Sequence, residues 1–208
     1  MNQVASVPVS RLREILNLGC GRKHVANAVN LDVTADTSPD VVHDLNQRPW
    51  PLADNSFREV LAHDVIEHLH DVIGSMEEIH RVCQPGARVK ITLPHYSCCN
   101  AFTDPTHCHY FSSQSFHYVT GEHKFSFYTR AKFRRIHSQI VFYPSLLNKI
   151  VHRLANRYPE KYERRWAWMF PAWFLSFELE VLKPTSENSA ESFQSSSNDQ
   201  MTVTDPQP

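Results

Sequence analysis

Short runs of uninterrupted or alternating apolar residues punctuate the chain at regular intervals. Ile15-Leu16-Asn17-Leu18, Val29-Asn30-Leu31, Val41-Val42-His43, Glu59 to His63 and Ala87 to Leu93 each have the length and β-branched content of a strand. The pattern predicts strands near 14–18, 28–32, 40–43, 59–63 and 87–93, followed by two more near 135–143 and 174–182. Between the fourth and fifth of these, Met76, Ile79, Val82 and Cys83 recur at helical spacing and predict a helix over about 71–83, which Pro85-Gly86 should stop. A second amphipathic helix is predicted from Leu146, Leu147, Ile150, Val151, Leu154 and Tyr158, with Lys149, Arg153 and Arg157 on its wet face. Ser176 to Leu182 alternates cleanly, as a last antiparallel strand with one wet face would. Strands alternating with helices place the chain in the α/β class.

Polar residues at the strand ends carry the candidate chemistry. Gly19-Cys20-Gly21 follows the first strand, and glycine there permits a tight turn with bare N–H groups close to a ligand. Asp32 ends the second strand, where a carboxylate can accept both hydroxyls of a ribose. A lone Gly-x-Gly is usually a plain turn. Here it is followed in order by Val41-Val42-His43-Asp44-Leu45, by Leu61-Ala62-His63-Asp64-Val65-Ile66-Glu67-His68, and by Gln84-Pro85-Gly86 feeding the fifth strand.

The series from about residue 14 to 94 resembles the class I S-adenosylmethionine-dependent methyltransferases, in particular the small-molecule branch labelled type 11. The resemblance implies a Rossmann-like sheet, mostly parallel with an antiparallel last strand, and S-adenosylmethionine as cofactor. It places Gly19 and Gly21 beneath the methionine moiety, Asp32 on the ribose and Asp44 on the adenine amino group. Leu45 would supply a backbone N–H and apolar cover, and His63 would begin the loop beside the sulfonium. Methyl transfer from a sulfonium needs positioning and desolvation more than covalent help. Three departures stand out. Arg22 and Lys23 follow Gly21 where a third glycine is common, Asn17 stands where an acid is frequent, and about ten residues separate Gly21 from Asp32. That span is close to the minimum for a parallel crossover, so the usual first helix should be abbreviated or replaced by a loop.

Composition changes this picture in two places. The chain of 208 residues, 41% hydrophobic, can bury one sizeable core, so residues 1–183 are expected to form a single methyltransferase domain. Residues 184–208 are Ser-rich, with four acids and no Lys or Arg, the composition of a disordered acidic tail. The net charge of −1 therefore hides a basic remainder, in which residues 122–165 hold eleven Lys and Arg against three Glu. Such a stretch is either a solvated face or a site for an anionic partner. Five cysteines without framework spacing point to reduced thiols, with Cys83 in the core. No export signal or membrane-length apolar run is recognisable, so a cytoplasmic location is the default expectation.

The segment from Pro94 to Phe111 leaves the carboxyl end of a strand and should choose the acceptor. Its Asp104-Pro105-Thr106-His107 core resembles a loop of the same branch. Of its histidines, His95 and His107 are the favoured general bases, each weighed against a structural hydrogen-bonding role. Cys98, Cys99, Cys108 and His109 add metal-binding residue types, but no pair has an ordinary zinc spacing, so no metal is expected; a metal-binding variant of this loop is kept as an alternative. The Asn/Asp-Pro-Pro-Tyr signature of amino-nitrogen methylation is absent after the fourth strand, which disfavours a nucleobase or nucleic-acid target. A small-molecule or lipid-like acceptor is the first reading. A catalytically silent module binding an anionic surface or macromolecule is the second, with peripheral membrane contact through Trp166, Trp168, Phe170, Trp173 and Phe174 weighed against their packing on the sheet. The oligomeric state stays open.

Overall fold

The computed structural model describes residues 13–183; the expected acidic tail, 184–208, lies outside the described residues. Seven strands form one sheet in the order β3-β2-β1-β4-β5-β7-β6. They are β1 (Ile15–Leu18), β2 (Ala28–Asp32), β3 (Val41–Val42), β4 (Phe57–His63), β5 (Cys83–Pro94), β6 (Lys132–Val141) and β7 (Phe174–Leu182). The first five pair in parallel, and β7 runs antiparallel between β5 and β6, as expected of a Rossmann-like methyltransferase sheet. The strands from β1 to β3 build outward in one direction and β4 begins on the other side of β1, so the order reverses between β1 and β4. In open α/β sheets a crevice opens at the carboxyl ends of strands at such a reversal.

Near-continuous apolar sequence is what a parallel sheet covered on both faces requires. Leu16, Leu31, Val60, Val89 and Ile91 are completely buried, each side chain of this kind contributing roughly 1.5–3 kcal/mol when removed from water. The connection from β1 to β2 contains no helix. Its turns are held instead by two buried amides: Asn17 Nδ2 donates to Asn30 Oδ1 (2.9 Å) and to the Lys23 carbonyl (3.0 Å), while Asn30 Oδ1 accepts from the Val25 N–H (2.9 Å). Asn17, in place of the frequent acid, is thus part of the brace that lets so short a connection work.

Helix α1 (Val72–Val82) matches its prediction and buries Met76, Ile79 and Val82; Asp71 caps it by accepting from the Gly74 N–H at 2.9 Å. It ends earlier than Pro85-Gly86 would dictate. Ser56 and Asn55 donate their N–H groups to the Val82 and Arg81 carbonyls, Cys83 is already extended and pairs with Phe57, and Gly86 at φ +76° belongs to an irregular stretch of β5. Cys83 lies fully buried, and burial pushes its thiol up to about 12.

Beyond β5 come the short helices α2 (Asn100–Thr103) and α3 (His117–Thr120), then α4 (Leu146–Arg157) and α5 (Pro159–Arg165). Helix α4 corrects an expectation about its facing. Asn156 donates to the Ile140 carbonyl and accepts from the Ile140 N–H, both at 2.8 Å, acting as a partner for the edge strand β6. That docking buries Ala155 and turns the expected core stripe outward: Leu146 is 82% exposed and Ile150 63%. Trp166 and Trp168 also lie exposed rather than packed on the sheet. None of the helices among the described residues is long and apolar enough to cross a membrane.

Candidate active site

All parallel strands deliver their carboxyl ends to one edge, and two adjoining cavities open there. The larger, about 670 Å³, is lined by Gly19, Asp32, Asp44, Leu45, Asp64 and Val65, with His68 and the loop residues Pro105, Thr106 and Cys108 completing it. Its volume suits a nucleoside-sized ligand. The smaller, about 480 Å³, is lined by Glu67, Pro94, Asn100, Asp104, His107 and Phe174, and shares Asp64, His68 and Pro105 with the first.

Gly19 sits at φ +57°, and a Cβ there would lie 2.5 Å from Val65 Cγ2, so the turn after β1 and the turn after β4 touch only because residue 19 has no side chain. Gly21, at φ +48°, donates its N–H to Asp32 Oδ2 at 2.7 Å, and Thr34 N–H donates to Asp32 Oδ1 at 3.1 Å. Asp32 is 8% exposed and oriented by these two backbone donors, with lone pairs to spare on each oxygen. Asp44 Oδ1 accepts from the N–H and side-chain amide of Asn46 (2.9 and 3.1 Å), and Leu45 is buried beside it. Two oriented carboxylates, an apolar floor and a glycine turn in one cleft fit the ribose, purine and methionine parts of S-adenosylmethionine.

His63 does not line this cleft. It is the last residue of β4, where strand alternation sends its side chain to Thr92 on β5 (Nδ1 to Oγ1, 2.8 Å); burial, with Lys23 and Lys90 nearby, holds its pKa below the usual histidine value against the opposing pull of Asp64. Asp64 and Val65 take the place expected for it. His95 is also elsewhere. It is fully buried, its Nδ1 accepts from the Ser97 N–H at 3.1 Å, and its Nε2 therefore donates to Glu163 Oε1 at 3.3 Å on α5. Tied on both nitrogens, it fastens the loop after β5 to α5 and lines neither cavity.

His107 is where the acceptor loop was expected to present a histidine. Its ring meets that of His68 edge-on, 4.7 Å between centroids, and ligating atoms of Glu67, His68 and His107 lie within 4.8 Å of one another. Glu67 is 1% exposed, and neither of its carboxylate oxygens has a hydrogen-bond partner among the described residues. Burial, aided by Asp64, raises its pKa to about 7 against the opposing effect of its own backbone N–H and of His107. Sequence pattern alone gives Glu67 and His68 no role. The available signal is an acid and a histidine side by side, four and five residues past the end of β4, on the 3-10 turn Ile66–His68.

Comparison with known proteins points to the same fold. Residues 16–91 match a family described as a methyltransferase domain, and no curated protein matches the chain. Solved structures share the fold at low identity. An S-adenosylmethionine-dependent methyltransferase from Mesorhizobium loti is 15% identical, with 80% of this chain and 89% of that one covered at a TM-score of 0.52. An S-adenosylmethionine-dependent methyltransferase from Archaeoglobus fulgidus is 17% identical over 80% and 85% of the two chains, at 0.50. The cyclase SpnF is 15% identical over 82% and 74%, also at 0.52, so the same sheet also serves a different reaction.

Proposed function

We propose that this chain is a class I S-adenosylmethionine-dependent methyltransferase that transfers a methyl group to a small-molecule or lipid-like acceptor bound in the smaller cavity. The observation that carries the reading is the convergence of Gly19, Asp32, Asp44 and Leu45 on one cleft that opens directly into a second, histidine-bearing cavity. When bound, the cofactor supplies an electrophilic methyl carbon. Asp32 would accept the ribose hydroxyls, Asp44 would accept from the purine amino group, and Leu45 would cover the base. The loop Asp104–Cys108 excludes water over the junction, its Cys108 N–H donating to the Glu67 carbonyl at 2.8 Å. Of the two histidines weighed as bases, His107 lines the smaller cavity, on the acceptor's side; His95 lines neither cavity and positions the loop.

Incubation of the full-length protein with methyl-labelled cofactor and fractionated small-molecule and lipid extracts tests the reading. Label should pass to an extractable acceptor with the wild type and not with Asp32→Ala. A wild type that binds the cofactor yet labels nothing across broad extracts would sink it.

One surface favours the second reading, a non-catalytic module on an anionic surface. Leu146, Ile150, Leu154 and Trp168 are exposed on and after α4, beside Lys149, Arg153 and Arg157. Apolar side chains flanked by cations suit an anionic lipid interface, and the same face would serve a methyltransferase that takes a lipid acceptor. Vesicle binding alone leaves both readings standing; label transfer separates them.

A further inference from the structure

We propose that Glu67, His68 and His107 form a site for one divalent transition-metal ion of the zinc, manganese or iron(II) class, with open coordination positions facing the junction of the two cavities. The site is distinct from the cysteine-bearing alternative weighed for the loop, because Cys98, Cys99 and Cys108 take no part in it.

The first support is an imbalance. A carboxylate that is 1% exposed with both oxygens unpartnered is costly unless a cation or donor completes it. Here two imidazoles stand within 4.8 Å of it without forming a hydrogen bond to it, a spacing that admits an ion at roughly 2.0–2.2 Å from each ligand after small side-chain rotations.

The second support is the state of the two imidazoles. His107 Nδ1 lies 3.0 Å from the Ala101 carbonyl, which can only accept, so the proton is on Nδ1 and the Nε2 lone pair is free. His68 Nδ1 lies 2.8 Å from Thr106 Oγ1, and that hydroxyl gives its own proton to Asp104 Oδ1 at 2.7 Å. Thr106 is therefore the acceptor, and His68 likewise presents a free Nε2. Both rings have Nδ1 engaged by an oxygen acceptor, which leaves Nε2 as the nitrogen available to a metal, the outer-shell arrangement that orients histidine ligands. A Glu67 paired merely with a charged histidine would call for neither restraint.

The third support is charge. Asp64 and Asp104 bear on the same point as Glu67, and the nearby Lys23 reaches only Asp64, at 3.8 Å from a largely exposed position. The local field favours a cation. Two nitrogen donors and one carboxylate select a borderline transition ion over calcium or magnesium, which prefer oxygen cages. Three protein ligands leave positions where an acceptor oxygen or nitrogen can bind beside the methyl donor, and that last role alone rests on the methyltransferase reading.

Cobalt(II) provides a probe that reads the site without any turnover. Full-length protein without a histidine tag, stripped with chelator and dialysed, should take up one equivalent of cobalt with visible d–d bands, displaced by zinc. Glu67→Gln and His107→Ala should weaken binding at least about 10-fold, and Thr106→Val, which keeps all three ligands, about 10–100-fold. His109→Ala should leave it unchanged. Far-UV circular dichroism checks that each variant is folded, and Thr106→Val keeps the test decisive if a ligand variant is not. A folded wild type that gives no bands at millimolar cobalt, or equal affinity in wild type, Glu67→Gln and His107→Ala, would overturn the site. Titration of the stripped protein with the methyl donor reports separately on the methyltransferase reading, so either can fail alone.

Discussion

Asp32 and Glu67 are two carboxylates at the carboxyl edge of one sheet, both almost removed from water, and the chain treats them in opposite ways. Asp32 is held by the N–H groups of Gly21 and Thr34, while Glu67 has no hydrogen-bond partner for either oxygen among the described residues. A buried carboxylate oriented by backbone donors is a finished part, ready to accept from a neutral ligand. A buried carboxylate left open is costly in its charged form, and burial accordingly raises the Glu67 pKa to about 7. On the proposed function, Asp32 marks a donor end already oriented by the backbone, and Glu67 a second end that is not.

The comparison breaks first at Asp32. Asp32→Ala removes a charged acceptor from the donor cleft and frees the Gly21 turn, and calorimetry should show cofactor affinity falling about 10–100-fold, as hydrogen bonds to a charged group are worth about 1.5–3 kcal/mol. Glu67→Ala, outside that cleft, should leave cofactor affinity within about 2-fold. Equal losses at both positions would mean that the two ends are not separate.

Gly19→Ala tests whether the donor end is as tightly preset as it looks. The added Cβ would meet Val65 Cγ2 at 2.5 Å in a left-handed backbone, which predicts a loss of about 1–3 kcal/mol in denaturant unfolding. Gly21→Ala meets nothing within 4 Å and should cost about 1 kcal/mol, from backbone strain alone.

Glu78 sharpens the contrast with a third buried carboxylate, one completed by a charge of the chain's own. Burial raises its pKa, but the Arg81 guanidinium (2.7 Å) and the Trp50 N–H (2.7 Å) outweigh burial and hold it below the usual glutamate value. With its folded value depressed, Glu78 contributes stability that is fully present above the unfolded value near 4.5 and is lost as pH falls through the folded value. Glu78→Gln should therefore flatten the acid limb of a stability-against-pH curve, by about 1 kcal/mol or more at neutral pH. An acid limb identical to the wild type's would contradict the pairing.

The donor end was legible in the sequence because its parts are local. Gly19, Gly21, Asp32, Asp44 and Leu45 each sit within three residues of a strand end, and strand order at a parallel edge then brings them together. His63 was misplaced by one residue of strand alternation, which sends its ring to Thr92 and leaves Asp64 and Val65 in the cleft. His95 and His107 were indistinguishable by type and loop. Ser97 and Glu163, the latter far along the chain, bury the first, while the Ala101 carbonyl fixes the second beside Glu67. The outward stripe of α4 was hidden for a related reason: its periodicity is that of any amphipathic helix, and the Asn156 contact to β6 decides which side faces the core.

Titration of the full-length protein with S-adenosylmethionine and with its demethylated product, by calorimetry, tests the central claim most directly. The account predicts one site per chain for each ligand, weakened in Asp32→Ala and retained after chelator treatment. A folded wild-type protein that binds neither ligand at millimolar concentration would contradict it.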